Sequence, residues 1–138
     1  MGKPGPLRIP FLELLGAHAE EPGTGRAVVS LEVRPDLANS WQVAHGGVVM
    51  TLLDVSMGLA ARTTVDHGAG VMTVDVTVSF LRAGRGRLVA EGRVLHGGRS
   101  LVFCEGEVRA GGQLVAKGLG TFKLRRSRDG AAADKGAA

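Results

Sequence analysis

The run GVVMTLLDVSMGLAAR, Gly47 to Arg62, has helical length, no proline and apolar residues around its whole axis, which marks a buried helix. No other stretch reads as a long helix, so the rest of the chain has to cover this one. RAVVSLEVR, Arg26 to Arg34, alternates as a strand with Ala27, Val29, Leu31 and Val33 on one face. After a loop at VDHGAG, Val65 to Gly70, VMTVDVTVSFL sets Met72, Val74, Val76, Val78 and Phe80 on one face. Thr73, Asp75, Thr77 and Ser79 fall on the other. RLVAEGRVLH, SLVFCEGEVRA and QLVAKGLGTFKL follow, separated by turns at Gly97–Gly98 and Gly111–Gly112 that are short enough to force antiparallel neighbours. The expectation is an α+β fold, one antiparallel sheet of about five strands wrapped around one long central helix. Upstream, PFLELLGAHAEE starts as a short amphipathic helix headed by Pro10 that soon meets Gly16, and PDLANSW makes a polar turn or brief helix. The remaining glycines read mostly as turns.

With 138 residues and 44% apolar content, the chain suits a single domain over residues 1–124. The small, charged, glycine-rich stretch 125–138 is expected to be a disordered basic tail. No apolar run reaches the ~18–20 residues that span a bilayer, and MGKPGPLRIP lacks the apolar centre of a secretory signal, so the expectation is a cytoplasmic protein with no membrane partner. The single cysteine, Cys104, excludes an internal disulfide and sits where a small buried side chain belongs. A formal charge of +4 is spread over scattered Lys and Arg and concentrated in the tail. One Trp, four Phe and no Tyr give no stacking platform, so the charge reads as solubility and not as a nucleic-acid surface. His18, His45, His67 and His96 show no metal-ligand spacing with one another or with Cys104. There is no Gly-x-Ser-x-Gly elbow, phosphate loop or dinucleotide fingerprint, which disfavours phosphoryl transfer, nicotinamide redox chemistry and zinc hydrolysis. No metal and no cofactor is expected.

His45-Gly46-Gly47 opens the helix. The first N–H groups of a helix lack intrahelical partners and carry partial positive charge, and two glycines let a substrate oxygen approach the amides of Gly46 and Gly47. The tripeptide alone also fits a tight strand-to-helix turn. Asp54 adds a second signal, because a carboxylate in an apolar helix is costly without a partner and its neighbours Met50, Thr51, Met57 and Gly58 include no base. Eight residues of helix cover ~12 Å, whereas a carbonyl activator and a base must both lie within about 3–4 Å of the reacting group. If both groups act, the carboxylate comes from a neighbouring subunit across a two-fold axis.

Asn39, His45, Gly46, Gly47 and Asp54, in the pattern N-x5-HGG-x6-D, are followed by TVDVTVSFLRAG and GRSLVFCEGEV. Together these resemble the hotdog-fold thioesterases of the phenylacetate-degradation (PaaI-type) group, over about Pro10 to Leu124. The resemblance implies a curved sheet around a central helix, assembled as dimers that often pair into tetramers with active sites at the dimer interface. It implies hydrolysis of an acyl-CoA, with CoA part of the substrate. Gly46 would donate its amide to the thioester carbonyl, Asp54 of the partner chain would act as general base or nucleophile, and Asn39 would position the reacting groups. His45 would fix the loop, and Thr73 would hold the water. Gly98, Arg99 and Ser100, in the stretch HGGRS, together with Arg82, are candidates for the phosphate end. Gln42 departs from the pattern, since similar proteins often carry glycine there. The acyl group expected is aromatic or of short to medium length. Two functional alternatives share the fold, a non-catalytic acyl-CoA-binding module and a hydratase or dehydratase in which His45 is the base; a structural oligomer without a ligand is a third.

Overall fold

The computed structural model describes residues 7–65 and 70–125. Residues 66–69 of the loop after the long helix, His67 among them, and 126–138 of the expected tail lie outside the described residues. A short helix α1 (Pro10–Leu15) leads into β1 (His18–Ala19) and β2 (Arg26–Glu32); a 3-10 turn (Pro35–Leu37) and a loop then deliver the long helix α2 (Gly46–Arg62). β3 (Gly70–Phe80), β4 (Arg87–Gly97), β5 (Leu101–Ala110) and β6 (Gln113–Arg125) complete the fold. All six strands form one antiparallel sheet in the order β1-β2-β4-β5-β6-β3, wrapped around α2 as in the hotdog fold. The sixth strand is β1, absent from the five-strand expectation. Gly16 ends α1 in a left-handed conformation (φ 74°), which frees the next residues to pair with β2. β6 runs to Arg125, one residue past the expected domain end. The Gly111–Gly112 turn has both residues at positive φ, as a two-residue hairpin requires.

α2 packs against β2 through β6. What lets it settle so closely is a row of glycines in mid-strand. Gly92, Gly106 and Gly118 lie directly opposite one another across β4, β5 and β6. A Cβ at Gly92 would stand 2.3 Å from the backbone of Ser56, and one at Gly106 would stand 3.1 Å from Leu53 and Met57. The row is a trough for the helix, which corrects the reading of these glycines as turn residues. Leu52, Leu53, Met57, Ala61, Leu88, Val102, Val108 and Phe122 close the core around it.

Two expectations about faces are also corrected. Strict alternation fails in β3, because Val74 is bulged between Thr73, opposite Phe122, and Asp75, opposite Thr121. Val71 and Thr73 therefore face α2 before the bulge, and Val76, Val78 and Phe80 after it, while Met72 and Val74 are exposed. Nor is α2 covered on all sides. The sheet ends at the free edge of β3, leaving a stripe with Met50 exposed and Thr51, Asp54 and Gly58 half-buried.

Candidate functional site

The loop before α2 is built by its own polar groups. Asn39 Oδ1 accepts from the backbone N–H of Trp41 (2.9 Å) and Val43 (3.3 Å), and the Asn39 backbone N–H donates to the Val43 carbonyl. Gln42 sits inside this turn at φ 62°, the left-handed region that glycine enters freely, which explains why glycine suits the position. Ala44 N–H donates to Gly84 and His45 N–H to Leu37, fixing the entry to the helix. His45 is the N-cap, and its Nδ1 accepts from Gly47 N–H at 2.8 Å. The neutral ring therefore carries its proton on Nε2. Gly47 N–H is thus engaged by the cap, so of the two amides expected to meet a substrate oxygen only Gly46 N–H has no hydrogen bond among the described residues.

Eight residues on, Asp54 lies half-buried on the open stripe, and Thr73 Oγ1 donates to its Oδ1 at 2.7 Å. The carboxylate thus lies at the boundary between helix and edge strand and is not a charge enclosed in the core. Gly46 stands beside Phe80 at the far end of the same strand, where a Cβ on Gly46 would touch the Phe80 ring at 3.4 Å. From Thr73 to Phe80, β3 covers roughly 20 Å at about 3.3 Å per residue. One chain therefore presents an N–H donor, that of Gly46, at one end of its β3 edge and a carboxylate–hydroxyl pair at the other.

The candidate phosphate contacts divide in the same way. Arg82 follows β3 and its Nη1 donates to Leu114 O at the start of β6. Gly98 to Ser100 form the β4–β5 hairpin, whose Ser100 carbonyl accepts from Leu124 N–H near the end of β6. Ten residues of strand separate them, roughly 30 Å. Within one chain they cannot grip the same phosphate.

Three features were not found in the sequence. Phe80 reaches Gly46 only because of the bulge. Trp41 stands 82% exposed on the loop before α2. A chamber of about 330 Å³ opens beside the helix N-terminus, walled by Phe11, Leu15, Leu37 and Val48 and edged by His45 and Thr51. Cys104, by contrast, is buried against Met57, and burial pushes its thiol up to about 11, so it is not a nucleophile at neutral pH.

A model of the thioesterase superfamily matches residues 42–117, more than half of the chain and the whole span from Gln42 through β3 to β6. A conserved protein of Pseudomonas aeruginosa, PA5202, superposes with a TM-score of 0.77 at 39% identity, covering 83% of this chain and 92% of that one. The phenylacetic acid degradation protein PaaI of Thermus thermophilus superposes at 0.76 with 31% identity, covering 83% and 98%. The medium/long-chain acyl-CoA thioesterase YigI of Escherichia coli is 28% identical over 133 residues, 84% of this chain and 86% of its own length. With the family model matching more than half of a chain that folds as a six-stranded sheet around one long helix, the chain belongs to the thioesterase superfamily as a thioester hydrolase.

Proposed function

We propose that the chain hydrolyses acyl-CoA thioesters carrying an aromatic or short- to medium-chain acyl group, at sites formed between two copies. The observation that carries the reading is the Thr73–Asp54 hydrogen bond on the free edge of β3, with the unengaged Gly46 amide at the opposite end of that edge. An eleven-residue unpaired edge is a template for a second strand. Antiparallel pairing of two β3 edges about a two-fold axis brings Gly46, Phe80 and Arg82 of one copy toward Asp54, Thr73 and the 98–100 hairpin of the other.

In such a site Gly46 N–H, with the helix dipole behind it, holds the thioester oxygen as negative charge develops. Asp54, held by Thr73, either takes a proton from a water that attacks the carbonyl, or attacks the carbonyl itself to form an anhydride that water then opens. In both cases the C–S bond breaks, the CoA thiolate departs and the free acid is released. Thiolate is a good enough leaving group that no strong acid is needed beside sulfur. Asn39 shapes the loop that aims Gly46, and His45 caps the helix. A hydratase reading needs His45 as base, and a ring that accepts through Nδ1 and carries its proton on Nε2 offers no free lone pair for that role. The names of the matched relatives, an acyl-CoA thioesterase and a phenylacetic acid degradation protein, are consistent with acyl-CoA substrates.

Thiol release from a panel of acyl-CoAs, wild type beside Asp54→Asn, tests this reading. The expected result is a loss of about 10²–10⁴-fold in kcat with the oligomer size unchanged. Equal rates reject the role of Asp54.

A further inference from the structure

At the helix N-terminus, one wall of the chamber is tied to the facing wall by a single arginine. Arg34 sends Nη1 to the carbonyl of Leu15 and Nη2 to that of Leu14 (2.9 Å), the last two residues of α1, while its Nε pairs with Asp36 at 2.8 Å. Three bonds from one guanidinium thus join α1 to the 3-10 turn, the two elements that face each other across the chamber. Leu12 and Leu15 are buried and anchor α1 from below, leaving Phe11 half exposed at the chamber's mouth. The floor belongs to His45 and Val48, next to the Gly46 amide.

We infer that α1 is the acyl-size ruler of the enzyme: Phe11 and Leu15 form the wall that the acyl group meets, and Arg34 is the positioning residue that sets where this wall stands. The inference rests on the acyl-CoA reading above and adds which part of the chain limits the acyl group. The occupant is assigned by position, since the space is apolar on most sides, with Asp36 its one carboxylate, and His45 and Gly47, the residues on either side of Gly46, both line it. A cavity of ~150 Å³ takes one benzene, so about 330 Å³ takes an aryl ring with a short linker.

The test is kcat and KM for saturated acyl-CoAs of increasing length and for an arylacetyl-CoA, measured on wild type, Phe11→Trp, Phe11→Ala, Arg34→Gln and Arg34→Lys. Narrowing the wall with Phe11→Trp is expected to raise KM for the longest accepted chains relative to the shortest by about fourfold for each methylene excluded. Phe11→Ala is expected to move the length optimum upward. Arg34→Gln should flatten the length profile through KM more than kcat, with Arg34→Lys restoring it in part. Unchanged length ratios in all four variants of an active enzyme would overturn the ruler and leave the catalytic reading intact. Dissociation constants of the same acyl-CoAs for Asp54→Asn, with and without Phe11→Trp, read the ruler without turnover. If wild type hydrolyses none of the panel yet these constants follow Phe11, the ruler stands and the catalytic reading falls; constants blind to Phe11 overturn the ruler.

Discussion

At the residue scale, single side chains hold the site by bonds that leave little freedom. Thr73 orients the Asp54 carboxylate, His45 ties down the second amide of α2, and Asn39 spends its oxygen on the loop behind them. On the outer face of the sheet, Glu91 plays a purely structural part. A hydrogen bond from Arg26, opposed by partial burial and helped by Arg93, holds its carboxyl down at about 2. A carboxyl lowered from its usual value of 4.5 adds stability above that value and loses it as pH falls toward 2. Glu91→Gln should therefore lower Tm by a few degrees near neutral pH, and the gap should close as pH falls through this window. Because Arg26 and Arg93 are 56% and 60% exposed, the difference should also shrink in high salt; thermal melts over a pH and salt series check both.

At the element scale, the helix and the glycine trough define each other. Ser56 and Met57 bring backbone against Gly92, so a methyl there has no flexible neighbour to displace. Gly92→Ala is expected to cost about 3 kcal/mol or more, read as a lower midpoint in urea with native-like activity at low denaturant if the helix resettles. The bulge at Val74 has a comparable role in β3. It presents Thr73 to Asp54 and Phe80 to Gly46 from one strand, which uninterrupted alternation would send to opposite faces.

At the scale of the whole molecule, the proposed dimer gives each copy two half-sites, one at each end of its β3 edge. Gly46 is the first residue of α2 and follows a residue in extended conformation, so Gly46→Pro removes the N–H while keeping a backbone that proline accepts. Gly46→Pro and Asp54→Asn should each be nearly inactive, with Gly46→Ala as the control that keeps the amide. Unfolded together and refolded, the two inactive proteins should recover about one quarter of wild-type activity, because half of the dimers are mixed and one of their two sites is intact. Sites contained in single chains would recover none. The central helix, the order of strands after it and the Gly111–Gly112 hairpin were all legible in the sequence, because period and turn chemistry are local properties of a chain. The bulge, the trough of mid-strand glycines, the open side of α2 and the chamber under α1 were not. Each arises where residues far apart in sequence come into contact, as Val74 is displaced opposite β6, Gly92 meets Ser56 and Arg34 reaches the α1 carbonyls. The sequence by itself determined which groups could do chemistry; only the tertiary structure decided which of them meet, because backbone clearance and strand register are set by packing between elements.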